Sequence, residues 1–235
     1  MTTHIDINRE EEAGFTLVEL AVVMIIIGLL IGGILKGQEL ITNAEISNSV
    51  QTIETVDSAT LSFRDAYGDL AGDMPQPAAR IPQCAGVCAA GAGDGNREVD
   101  TAAEVNAFFS QLYLADFIGG LDDADAVGPA VGDTFPELAV GNAVGLNILT
   151  YHPGNAVIAG GLGAVDVYRR GHYFTIPAAS LENRTAASID RKLDDGSPTE
   201  GDVTGNAAAC NNAAPAGFYD EQNTAAAGCG LFIRS

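Results

Sequence analysis

A chain of 235 residues with 31 acidic against 11 basic side chains carries a formal charge of −20, which repels nucleic acid and anionic membrane faces. The length suits one globular domain, or one domain plus a long helix. Aromatics are sparse and Trp is absent, so the core outside any long helix is expected to be small.

Residues 1–14 are polar and acidic, with Asp6, Glu10, Glu11 and Glu12 outnumbering Arg9 and His4, and they abut Phe15 with no capping residue and no Ala-x-Ala site. Residues 15–35 form a continuous apolar run that contains one ionisable side chain, Glu19, and stops at Lys36. At about 1.5 Å of rise per residue the run just spans a hydrocarbon core of about 30 Å, so it reads as a membrane helix. An unpaired carboxylate one turn into such a run costs roughly 2 kcal/mol or more, so Glu19 needs a partner or a place near an interface. A secretory signal peptide is cut after its apolar block, whereas the boundary here lies before it, at Gly14.

Gly14-Phe15-Thr16-Leu17-Val18-Glu19 resembles, residue for residue, the prepilin-peptidase motif of the type IV pilin superfamily, which includes type IV pilus subunits and the pseudopilins of type II secretion. Gly28 also falls where members usually carry glycine. The resemblance covers about a tenth of the chain and implies cleavage between Gly14 and Phe15, N-methylation of Phe15, and a Glu19 that pairs with the Phe15 amine of a neighbouring subunit. An ammonium and a carboxylate buried together neutralise each other where either alone would be expensive. The leader departs from the family in its acids, which leave Arg9 as the main positive-inside signal. Removing that leader would leave a charge of −17 on residues 15–235.

Beyond Lys36 the pattern becomes amphipathic: Ile46, Val50, Ile53, Val56, Thr60, Leu61 and Phe63 share one side, with Asn48, Gln51, Thr55, Ser58 and Ser62 opposite. A single helix of roughly fifty residues, 15–66, is expected, apolar all round in 15–35 and one-faced in 36–66. Glycines at 28, 32 and 33 permit close helix contact and are equally the tolerated glycines of a membrane helix. The helix should end at Gly68, and Pro75 blocks its resumption; the Gly-Asp turn between them reads as a solvated loop, with a calcium loop as the alternative. Residues 67–235 are then the globular domain.

That domain opens with a Pro-, Gly- and Ala-rich loop, 76–99, containing Cys84 and Cys88. With Cys210 and Cys229 the count is even, which fits two disulfides in an oxidising compartment. Pairing within each half closes one very short loop and one of about twenty residues; the other two connectivities stay open, and zinc is a weaker rival because no histidine or second tight pair stands near. Thr101 and Glu104 make a capping box for a second helix, with Val105, Phe108, Phe109 and Leu112 as its stripe and Gly119-Gly120 as its end. An acidic linker, 121–133, follows.

Four short strands bounded by Gly or Pro are expected at 147–151, 156–159, 165–168 and 173–176, with 231–233 as an added edge strand. The fold class is α+β: a long N-terminal helix against a small antiparallel sheet, the ladle shape that the resemblance also implies. Arg169, Arg170 and His172 form a basic cluster suited to a turn or to a neighbour's acidic surface. A short helix through Leu193 would place Asp194 and Asp195 at the negative end of its dipole, where a compensating cation is favourable. Asp190, Asp194 and Asp195 are therefore candidate Ca2+ ligands, a late-loop site that some pseudopilins also have; the competing reading is an Asp-Gly turn satisfied by Arg191, Lys192 or loop N–H groups.

No nucleophile elbow, phosphate loop or zinc-protease motif occurs, so the chain does not read as an enzyme. The resemblance implies a structural subunit of a type IV pilus or type II secretion pseudopilus: a single-pass precursor in the bacterial inner membrane, a substrate of prepilin peptidase, then part of a homo- or hetero-oligomeric helical filament in the periplasm or at the cell surface. Two other readings are open. One is a minor, tip or initiating subunit that binds a partner, favoured by a mature length of 221 residues, which is large for a major pilin. The other is a membrane-tethered periplasmic binding module that never polymerises.

Overall fold

A computed structural model of the chain describes residues 16–90, 93–122, 131–140, 144–151, 171–205, 210, 217–222 and 228–235. The chain divides into two units, Met1–Asn43 and Ala44–Ser235. Helix α1, Leu17–Tyr67, supplies all the regular structure described in the first unit and the opening helix of the second. It ends one residue past the expected position, where Gly68 takes a left-handed φ of 78° and donates to the Arg64 carbonyl at 2.8 Å.

In the second unit the buried face of α1 is Ile46, Ser49, Val50, Ile53, Val56, Ala59, Thr60 and Phe63, at spacings of three and four. Leu61 was expected on this face and is instead 45% exposed. At about 100° per residue it stands roughly 200° from Phe63, so the two cannot face the same core. Ser49 keeps a polar atom in the core because its hydroxyl is fully used, donating to Glu45 O at 2.9 Å and accepting from Val140 N at 3.2 Å.

The segment after Gly68 is not the solvated loop expected of its composition. Leu70, Ala71, Asp73 and Met74 are buried, and the 76–99 stretch contains two short helices, α2 (Pro77–Arg80) and α3 (Gly86–Ala90). Arg80 returns to α1, bonding Asp69 and the Tyr67 carbonyl, while Asp73 accepts from Gly95 N at 2.8 Å and from Arg97 N. The Cys84–Cys88 disulfide closes the same stretch.

Helix α4, Ala102–Leu114, starts at the expected capping box, with Thr101 Oγ1 accepting from Glu104 N and Glu104 returning to Thr101 N. It stops well before Gly119-Gly120. Asp116 adopts φ 63°, Phe117 N donates to Leu112 O and Asp116 N to Tyr113 O, the paired bonds of a Schellman cap built on aspartate in place of glycine. Its Phe108 and Phe109 stack edge-on at 4.9 Å and reach Phe174 and Phe135 respectively, while Phe117 meets Phe63 of α1.

Strands β1 (Glu137–Leu138) and β2 (Val144–Gly145) form a small antiparallel pair. Strands β3 (Asn147–Tyr151), β4 (Gly171–Leu181), β5 (Val203–Gly205) and β6 (Cys229–Arg234) form an antiparallel sheet in the order β3-β4-β6-β5, with α5 (Asn183–Leu193) between β4 and β5 in sequence. Phe174 and Ile176 of β4 register with Ile233 and Leu231 of β6 on the core face. The final strand is internal, not an edge, because the three-residue β5 pairs on its far side; so short a strand has no readable period. The strands expected at 156–159 and 165–168, and Arg169 and Arg170, lie outside the described residues, as does most of the acidic linker. Cys210 joins Cys229 in the second disulfide.

The face assignment on α1 is directly testable by urea unfolding of the full chain in detergent. Phe63→Ala is expected to cost about 3–5 kcal/mol and Leu61→Ala less than about 0.5 kcal/mol; equal losses would contradict it.

Candidate functional site

The first half of α1 places its apolar side chains outward with nothing of the described chain over them. Leu17, Met24, Leu29 and Ile34 are 86%, 69%, 73% and 60% exposed, and an 18-residue window of mean hydropathy 2.7 has no buried share. By length and composition this is one helix able to cross a membrane.

At its start stands a compact polar arrangement. Thr16 precedes the first helical residue; its backbone N and its Oγ1 both donate to Glu19 Oε2, at 2.9 and 2.8 Å, and Glu19 N donates back to Thr16 Oγ1 at 3.2 Å. This is a reciprocal capping box, which satisfies otherwise orphan first-turn N–H groups and sets a carboxylate against the positive end of the helix dipole. The expectation of an uncapped junction is therefore corrected. The capping residue that sequence reasoning passed over is Thr16, and the Thr-x-x-Glu spacing was its signal. Gly14 and Phe15 lie outside the described residues.

Residues 11–35 match the prokaryotic N-terminal methylation motif. The methylation motif thus encloses Gly14, Phe15, the capping box and the exposed apolar run. Together with the long N-terminal helix it is consistent with type IV pilins and pseudopilins, fits a precursor held in an inner membrane, and points to a structural protein. No curated protein and no solved structure matches the chain.

Among the described residues of the second unit, two groups of carboxylates converge. Asp190, Asp194 and Asp195 offer oxygens within 4.8 Å of one another, and so do Asp73, Asp94 and Glu104. Asp190 is fully buried at the end of α5, its Oδ1 accepting from Gly196 N at 2.9 Å and its Oδ2 from the Tyr219 hydroxyl at 2.7 Å. Burial pushes the Asp190 carboxyl up to about 6, against the pull of those two hydrogen bonds and with a contribution from the Asp195 and Asp194 charges. Tyr219 is raised as well, by burial first and by the Asp190 carboxylate second.

Asp194 Oδ2 accepts from Asp202 N and Val203 N, which blocks the outer edge of β5, and Asp195 Oδ1 accepts from Ser197 N at 2.7 Å. Neither the Arg191 nor the Lys192 side chain serves this trio: Arg191 bonds Glu221 and Lys192 donates to Ser47 Oγ at 2.9 Å. In the second group Asp73 is raised by burial, opposed by the Gly95 and Arg97 N–H groups. His172 is held low by burial, and its Nδ1 lies 2.8 Å from Thr150 Oγ1, which also accepts from Val99 N. His152 lies outside the described residues.

A carboxyl whose folded pKa of about 6 exceeds its ordinary 3.8 contributes stability that is complete below the lower value and lost as pH rises through the upper one. In chelator, the native chain should therefore gain stability relative to Asp190→Asn as pH falls from about 6 to about 4. Parallel urea-midpoint curves for the two proteins across that window would contradict the assignment.

Proposed function

We propose that the chain is a structural subunit of a type IV pilus or type II secretion pseudopilus filament. Prepilin peptidase removes residues 1–14 after Gly14, Phe15 is N-methylated, and polymerisation runs through the N-terminal helix with residues 36–66 and 67–235 on the periplasmic side. The observation that carries this reading is that the methylation motif at 11–35 heads a helix whose apolar residues from Leu17 to Leu35 are all exposed.

In the free chain the capping box answers Glu19; in the filament its carboxylate pairs with the Phe15 amine of a neighbour. The pairing needs a carboxylate at position 19 and no change in the globular unit. Glu19→Ala is therefore expected to reduce sheared filaments at least about tenfold while the chain stays in the membrane, as loss of a buried partner should. Native filament yield from that variant would sink the pairing, whereas no filaments from the unaltered chain would leave a tethered domain.

The Asp190, Asp194 and Asp195 trio is the candidate Ca2+ site within this reading. Supporting it, Asp194 Oδ2 and Asp195 Oδ2 both crowd the Cβ direction of Gly201, and no described basic side chain is bonded to either residue. At a hundredfold excess over its dissociation constant, Ca2+ should stabilise the full chain by about 2.7 kcal/mol, and Asp194→Asn with Asp195→Asn should abolish the gain. An unfolding midpoint indifferent to millimolar Ca2+ would remove the site from the account.

A further inference from the structure

Strand β3 lies at one end of the sheet, and its N–H groups that face away from β4 are covered within the chain. Leu146 N, just before the strand, donates to Pro136 O at 2.9 Å, Ile148 N to the Asn147 side chain at 2.7 Å, and Thr150 N to Val99 O at 3.0 Å. Covers of this kind keep a sheet edge from pairing with other strands. A carbonyl and a side-chain amide, which do not titrate, serve Leu146 and Ile148. Only the Val99 cover runs on to a titratable side chain.

Val99 holds Thr150 twice, because its own N also donates to Thr150 Oγ1, at 2.7 Å. In the β3–β4 register Thr150 stands opposite His172, with Oγ1 2.8 Å from Nδ1. A hydroxyl has a single proton; with the Val99 N–H on its oxygen, that proton goes to Nδ1, which has to be unprotonated to accept it. The arrangement therefore selects the neutral ring with its hydrogen on Nε2. Val99 and Thr150 are 0% and 2% exposed, so water does not replace a lost partner here. A proton on Nδ1 would set two donors against each other and orphan a buried hydroxyl proton.

We propose that Val99 is an acid-released latch on the β3 edge: protonation of His172 frees Val99 from Thr150 and opens the outward Thr150 N–H to solvent. Burial, and then the Arg64 charge on α1, hold the ring below its ordinary 6.5, while Glu98 beside Val99 favours the proton. On the β6 side Ser235 N donates to the His172 carbonyl, the Ser235 hydroxyl is held by Asp57 of α1, and Arg234 is turned to Asp202. The closed form thus resists a proton that the open form takes up at the ordinary value, so the open share rises as pH falls below 6.5, by at most about tenfold per pH unit. Release stays local, because Asp73 keeps Gly95 N and Arg97 N on one side of Val99 and Glu104 keeps Asp100 N and Thr101 N on the other.

Hydrogen exchange of the full chain in detergent, resolved at Val99 and Thr150 and corrected for the intrinsic effect of pH, reads the latch. Protection at both N–H groups should fall about fivefold or more from about pH 8 to about pH 5, while Val56 in α1 and Phe108 in α4 keep theirs. His172→Gln offers the Thr150 hydroxyl an acceptor at every pH and should remove the fall. Thr150→Val should leave Val99 N poorly protected throughout, with no dependence on His172. A flat profile for the native chain, an equal fall in His172→Gln, or a fall shared by Val56 and Phe108 would each overturn the latch.

Discussion

Exposed hydrocarbon along residues 17–35 governs the rest of this structure. Burying a large aliphatic side chain is worth about 1.5–3 kcal/mol, and this stretch leaves more than a dozen of them uncovered. The sum is tens of kcal/mol, beyond the 5–15 kcal/mol that holds a typical domain together. That is more than a small globular unit can offset, so the apolar surface calls for a cover from outside the chain, of the kind that lipid or other apolar helices provide. The capping box at Thr16 and Glu19 fits the same constraint, because the one charge in the run is held at the helix end on its own backbone.

The second half of α1 solves the opposite problem. Its apolar stripe from Ile46 to Phe63 is the spine of the core, and α4, the sheet and the two disulfides are arranged over it. Few aromatics suffice because they are concentrated in two edge-on groups, Phe63 with Phe117 beside α1, and Phe135, Phe109, Phe108 and Phe174 running through α4 to β4. The same helix that buries one face here leaves Gln51, Glu54, Thr55 and Ser62 exposed on another.

Much of this was legible in the residues themselves. The apolar run, its motif, the amphipathic switch after Lys36, the Gly68 stop and the Thr101–Glu104 cap are local signals with a fixed period or spacing, and local signals survive folding. What escaped was decided by tertiary contact. The turn after Gly68 reads as solvated from its Gly-Asp pattern, yet Leu70, Ala71, Asp73 and Met74 are buried, and Asp73 spends its carboxylate on Gly95 and Arg97 N–H groups. The end of α4 was misplaced because Asp116 takes the left-handed cap that glycine usually takes. Strand β5 is too short to show a pattern, so β6 was read as an edge. At the candidate site Glu19 was read as a charge in a membrane, and that reading hid its role as the third residue of a capping box.

The central claim is that the chain is cut before its apolar helix and used through that helix. Intact-mass analysis with N-terminal sequencing, on protein from both sheared surface material and membranes, tests it most directly. The account predicts a sheared-fraction chain of 221 residues that begins at N-methylated Phe15. A chain confined to membranes that still begins at Met1 and retains residues 1–14 would contradict it.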